Sequence, residues 1–322
     1  MSTLRIVLAV AVLGTVLFSP AAAAVAYTVT DLGPGKAYAV NNAGQVVGGS
    51  LTMTYNGFLY SNGVTNTNLW TGGPAIGMNS LGQAVGFAGY QACVWSNGNV
   101  TYLGNGIAYG INDSGVVVGT DGNPGQGNAV LWSNGTKTTL GAPYGCAYAI
   151  NNAGQVVGNN GTGAFLYSNG VMTNLGSNYD AYGINNAGEV VGSCYNQGKA
   201  QWDACLWSNG TVTDIGGIAG AVGPSFASAI NNTGQIVGYS GNLAFLYSNG
   251  VMTDLNNLID PTSGWTLEYA GGINDNGQIV GYGITPTSGY EAFLLDPVPE
   301  PATMGLIGMG LSALFARRRL RR

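Results

Sequence analysis

One nine-residue string occurs seven times in this chain, and no other feature constrains its fold as strongly. The copies are VNNAGQVVG (40–48), MNSLGQAVG (78–86), INDSGVVVG (111–119), INNAGQVVG (150–158), INNAGEVVG (184–192), INNTGQIVG (230–238) and INDNGQIVG (273–281). Their first asparagines (Asn41, Asn79, Asn112, Asn151, Asn185, Asn231 and Asn274) lie 33 to 46 residues apart. A period of that size marks an array of supersecondary units that bury their apolar faces on one another.

Each unit reads as four strands. In the fourth unit, CAYAI (146–150) runs into the turn NNAG, and QVVG opens a second strand. AFLYS (164–168), an Asn-Gly turn and VMTNL (171–175) follow. Asn-Gly between apolar runs is a strong hairpin signal, because a type I′ turn needs positive φ at both central residues. No helical periodicity interrupts the array. Four strands in about 40 residues predict a β-propeller blade.

The position four before each repeat asparagine is alanine in all seven units, and the position two before it is alanine or glycine. Strand alternation puts these on one small face and the residue between them on the other. Small residues suit the innermost strand, where blades converge. The tyrosines at the intervening position (Tyr38, Tyr109, Tyr148 and Tyr182) read as packing residues, as do the aromatics Tyr60, Trp95, Trp132, Tyr167, Trp207 and Tyr247 of the third strands.

The seventh unit supplies three strands and then stops, whereas YTVTDLG (27–33) is a fourth strand with no unit before it. Pairing the two removes an open sheet edge. An open solenoid would need distinctive caps, and the two ends carry complementary fractions of a repeat instead. The expected fold is therefore all-β, a seven-bladed propeller over 27–297 closed by pairing of the N-terminal strand with the last blade.

Glycine accounts for 55 of 322 residues, while 46% of the chain is hydrophobic, enough to support a core with many tight turns. From Tyr27 to Val298 there are three lysines, no arginine and thirteen carboxylates. Nucleic acid is a poor partner for such a surface.

Both ends read as processing segments. Arg5, an apolar run from Ile6 to Phe18 and Ala24-Val25-Ala26 have the form of a secretory signal peptide over 1–26. At the other end, 298–322 combines Pro299-Glu300-Pro301, a short apolar transmembrane stretch from Ala302 to Ala316 and five arginines. The basic block favours the cytoplasmic side. This order resembles a PEP-CTERM sorting signal, which implies recognition by an exosortase-type processing enzyme. It also implies export, transient anchoring and delivery to the cell surface or beyond, with membrane contact only through the terminal segments.

The strings GAFLYSNGVMTNLG (163–176) and LAFLYSNGVMTDL (243–255) resemble HAF-repeat secreted proteins, and the likeness spans nearly all of 27–297. The chain has no histidine. The family's third strand opens on His-Ala-Phe, and here that His position holds Gln91, Asn128, Gly163, Asp203, Leu243 and Glu291, so no imidazole role carries over.

Without histidine, serine and cysteine nucleophiles lack their usual base and His-ligated metals are excluded. No catalytic residue, metal or cofactor is expected. Asp113 and Asp275 have the oxygen chemistry of calcium ligands but read better as turn residues. The binding candidates are non-repeating loop residues: Trp265, Tyr269, Asp260 and Glu268 in the insertion 256–272, and Trp202 and Tyr195 in the fifth unit. Rings there can stack on sugars while carboxylates accept hydroxyl bonds. Four cysteines (Cys93, Cys146, Cys194 and Cys205) allow three full pairings. The functional expectation is a non-catalytic surface or matrix protein that binds or scaffolds exopolysaccharide. The competing expectation is a glycan-active enzyme, a hydrolase or lyase, that uses the loop carboxylates Asp254, Asp260 and Glu268.

Overall fold

The computed structural model describes residues 26–51, 55–286 and 288–298. Among these residues the fold is all-β, with one short 3-10 turn at Leu255–Asn257. Five sheets are four-stranded antiparallel meanders. The fourth unit shows the plan, with strands Cys146–Ile150, Val156–Asn160, Gly163–Ser168 and Val171–Gly176. Its third and fourth strands join through Asn169-Gly170 at φ of 51° and 81°, the left-handed pair that an Asn-Gly hairpin favours.

The remaining sheet has seven strands. In spatial order they are Thr266–Ile273, Ile279–Thr285, Ser288–Pro297, Tyr27–Val40, Val46–Ser50, Asn56–Ser61 and Val64–Asn66. The fourteen-residue strand in its middle serves two units. Tyr27–Pro34 pairs with Pro297–Glu291, and Gly35–Val40 pairs with Ser50–Val46. The handover falls at Gly33, whose φ of 93° suits only a residue without Cβ and whose N–H donates to Asp31 Oδ1 at 2.8 Å.

The first strand of each unit lies against the first strand of the next, and Thr266–Ile273 lies against Tyr27–Val40. Small residues permit this approach. A Cβ on Gly77 would stand 2.5 Å from the Tyr109 carbonyl oxygen, and one on Gly272 would stand 2.9 Å from that of Tyr38. The arrangement is of propeller type.

The core lies between sheets. A representative layer joins Val118, Ala129 and Leu140 of the third unit to Ala147, Val156 and Phe165 of the fourth. Phe165 is fully buried, and truncating such a phenylalanine to alanine costs about 3–5 kcal/mol.

The signal-peptide residues before Ala26 and the sorting residues Pro299, Glu300 and Pro301 lie outside the described residues. No helix among the described residues is long and apolar enough to cross a membrane, so the expected transmembrane segment gains no support there.

Candidate functional site

Period-two alternation fails at one place in every first strand. The pairing of first and second strands skips Tyr38, Ile76, Tyr109, Tyr148, Tyr182, Ser228 and Gly271, one residue per unit. Each skip is a β-bulge, which leaves the extra residue unpaired and re-aims its side chain. The seven positions meet in one cavity of about 410 Å³, completed by Phe226, Tyr239 and Tyr269. The expectation that Tyr38, Tyr109, Tyr148 and Tyr182 are packing residues of a large blade face is therefore corrected. The bulge turns them to the axis, where they form a funnel wall.

Much of the wall is aromatic, in two runs of rings. Tyr109 and Tyr148 meet edge to face at 5.1 Å, and Tyr148 and Tyr182 are 5.6 Å apart. On the far side, Tyr239 lies 5.4 Å from Tyr269, which stacks on Tyr282 at 4.9 Å. Burial raises the phenols of Tyr38, Tyr109, Tyr148, Tyr182, Tyr239 and Tyr269 above their ordinary value, so the wall offers neutral hydroxyl groups. After burial, the neighbouring Cys146 thiol adds to the rise at Tyr109 and Tyr148. Outside the lining residues, Lys36 Nζ lies 4.1 Å from the centre of the Tyr282 ring, joining the first unit to the seventh. Burial, then neighbouring groups, push the Tyr282 phenol up to about 12.

Further along the same strands the seven repeat asparagines form a polar mouth of about 200 Å³. Each is buried. Asn151 is typical: its Oδ1 accepts from Ala153 N and Gln155 N, and its Nδ2 donates to Gln155 Oε1 and to the Asn185 carbonyl. The same inter-unit bond runs from Asn41 to Asn79 and on through Asn274, which returns it to the Asn41 carbonyl at 2.8 Å. Asp113 accepts from Ser80 N and Asn152 Nδ2. Asp275 accepts from Asn232 N, Asn232 Nδ2 and Asn42 Nδ2. Burial works against both carboxylates, but these bonds outweigh it and hold them below the ordinary range. Amide donors occupy the oxygens that a calcium ion would need.

The residues singled out in the sequence fall in three places. Tyr269 alone among them lines the funnel. Trp265 packs edge-on against Phe293 at 6.1 Å, Asp260 bonds Thr262 in a local turn, and Glu268 occupies a second bulge of its strand. Asp254 caps the 3-10 turn through Asn256. Trp202 and Tyr195 pair across the fifth unit's hairpin at 5.7 Å. That hairpin is stapled by a Cys194–Cys205 disulfide, and buried Asp203 accepts from Asn196, Lys199 and Gln201 near its tip. Cys93 and Cys146 are free and buried. The one set of three clustered metal-ligating side chains among the described residues is Cys194, Cys205 and Asp214, and its two sulfurs are bonded to each other.

Residues 297–322 match the PEP-CTERM protein-sorting motif, which marks the chain for export and for sorting through its C-terminus. No curated protein matches the chain. Among solved structures the chain is similar to XC5397 from Xanthomonas campestris, described as a gluconolactonase important in glucose secondary metabolic pathways. Identity is 10%, the match covers 85% of this chain and 90% of that one, and the TM-score is 0.44. At that level the likeness assigns no substrate and no residue. The expectation of a non-catalytic protein is corrected to this extent: the similar solved structure is that of an enzyme, and no activity passes from it to this chain.

Proposed function

We propose that this is an exported, glycan-active protein whose ligand enters the tyrosine funnel. The signal segment 1–26 and the sorting segment 298–322 flank a domain, 27–297, of HAF-type repeats closed as a seven-bladed propeller. Closure is supported by the Tyr27–Pro297 pairing and by the run of asparagine bonds that returns from Asn274 to Asn41. An exosortase-type enzyme removes the C-terminal segment, and an exopolysaccharide of the surrounding matrix is the partner.

One observation carries the reading of the site. The wall presents rings and neutral hydroxyls around a cavity of about 410 Å³, within the size range of small-molecule sites, and no lysine or arginine lines it. Rings stack on the apolar faces of a sugar while phenols exchange hydrogen bonds with its hydroxyls. A carboxylated sugar would lose its hydration without gaining a cation, so neutral residues are preferred. The loop carboxylates gain no support as the acting groups, since Asp254 and Asp260 are engaged in local turns.

The test uses the secreted protein with cellohexaose, maltohexaose and laminarihexaose, and with oligogalacturonate as the charged comparator. Tyrosine fluorescence should report saturable binding of a neutral oligosaccharide, mass spectrometry should detect its conversion, and Tyr148→Ala should abolish both. Preferential binding of oligogalacturonate, or binding unaffected by Tyr148→Ala, would overturn the proposal.

A further inference from the structure

Two positions of the repeat meet across the boundary between units. One is the residue that follows each nine-residue string, and the other stands five before the next unit's asparagine. Tyr239 and Tyr269 fill these positions between the sixth and seventh units, with ring centres 5.4 Å apart. Tyr282 and Lys36 do so between the seventh and first, with the amine 4.1 Å over the ring. Between the fourth and fifth, Asn159 Nδ2 donates to Asp180 Oδ1 at 2.8 Å. Between the first and second, Gly49 lies so close to Pro74 that a Cβ would stand 2.8 Å from it.

The boundary between the second and third units is different. Its two residues, Phe87 and Ile107, line a cavity of about 470 Å³, larger than the funnel and within the size range of small-molecule sites. The walls are fixed. Gly106 N donates to the Tyr90 carbonyl at 2.9 Å, which ties the turn carrying Tyr90 to the start of the strand Ile107–Ile111. Gly106 itself has φ of 133°, and a Cβ there would collide with the Thr120 carbonyl.

The lining has the chemistry of a sugar site. Phe87, Ile107 and the 83% exposed ring of Tyr90 give apolar surface. Asn105 and Asn123 are exposed amides that line the same space, and each offers donors and an acceptor to hydroxyl groups. Asp121 Oδ1 accepts from Asn128 N at 2.8 Å, and its Oδ2 accepts from Lys137 Nζ at 3.1 Å. The cation that reaches the site is therefore already paired, and an anionic ligand would meet a carboxylate. Neutral, hydroxyl-rich ligands fit best.

The cavity also belongs with the funnel. Ile107 stands two residues before Tyr109 on one strand, about 7 Å by strand rise, and Tyr109 lines the funnel. Tyr239 and Tyr269, the counterparts of Phe87 and Ile107, line the funnel as well. Both spaces thus lie at one level of the ring.

We propose that the cavity between the second and third units is a second sugar subsite, which holds one part of a chain whose other part occupies the tyrosine funnel. The ligand class is then a neutral oligo- or polysaccharide rather than a mono- or disaccharide. This rests on the glycan reading of the funnel given above.

The experiment measures calorimetric affinities of the full secreted protein for the disaccharides and hexasaccharides of the cello, malto and laminari series. In the series that binds, the hexasaccharide should bind at least about tenfold more tightly than the disaccharide. Tyr90→Ala should remove that gain and leave the disaccharide affinity unchanged. Because the side chain is exposed, the variant should melt like the wild type. Asn123→Ala, which keeps both rings, should reduce the same gain, and it carries the comparison if Tyr90→Ala melts lower. Tyr148→Ala should abolish binding of both lengths. Equal affinity for the two lengths overturns the subsite, as does a gain that survives both substitutions or a loss that extends equally to the disaccharide. In each of those results, binding that depends on Tyr148 leaves the funnel reading intact. A wild type that binds no neutral saccharide overturns the funnel reading and the subsite with it.

Discussion

The repeat asparagine does more than turn the chain. A turn residue needs only its own backbone bonds, yet each of these side chains also binds the carbonyl of the next unit. The residue after it adds a second circuit, in which Asp275 collects donors from Asn232 and Asn42 and so ties the sixth, seventh and first units together. Asp275 lies below its unfolded pKa, so its stabilising contribution is complete above the ordinary carboxylate range near 4. It disappears as pH falls through the depressed folded value. Asp275→Ala should therefore lower stability at pH 7 by about 1–2 kcal/mol, reduced by its partial exposure. The gap from the wild type should close in acid. Urea unfolding at pH 7 and at pH 2.5 measures both, and an equal loss at the two values would show that the charge is irrelevant.

Strands and turns were legible because their signals are local. Asn-Gly pairs, alternating apolar residues and the alanine four before each asparagine all act within a few positions. The bulges were not, because an extra residue in a strand changes no composition and inverts the face of everything read past it. A signal was nevertheless present. Across the seven units the bulged position holds four tyrosines, an isoleucine, a serine and a glycine, far more variety than the invariant alanine before it. A packing position between nested blades tolerates less. The clasp is the element whose removal tests most. A chain beginning at Lys36 loses the strand that pairs with Glu291–Pro297 and exposes that edge. It should aggregate or melt at least 10 °C lower in light scattering and thermal unfolding. Melting like the parent would show that the ring does not depend on it.

At the scale of the whole molecule the two ends lie side by side. Val298 N donates to the Ala26 carbonyl at 2.9 Å, and Tyr27 faces Pro297 across the sheet. The cleavage motif begins one residue after Val298. Replacing Pro299, Glu300 and Pro301 by alanine should keep the protein in the membrane fraction with Arg322 attached. Mass spectrometry of the normal secreted protein should find an end between Val298 and Pro301, and recovery of intact Arg322 outside the cell would refute the processing.

The same adjacency has a mechanical meaning. The strand pair that joins the seventh unit to the first ends where the chain leaves it at Ala26 and Val298, so a load drawn between those two points meets its rungs one at a time. Val298 and Ala26 part first, then Tyr27 and Pro297, then Thr28 and Asp296, and each step opposes only a bond or two. Tension between these points would peel the two strands apart at low force, whereas the same strands pulled along their length would share the load across every rung. While the protein is held at both ends this seam takes the pull, and cutting either tether removes it.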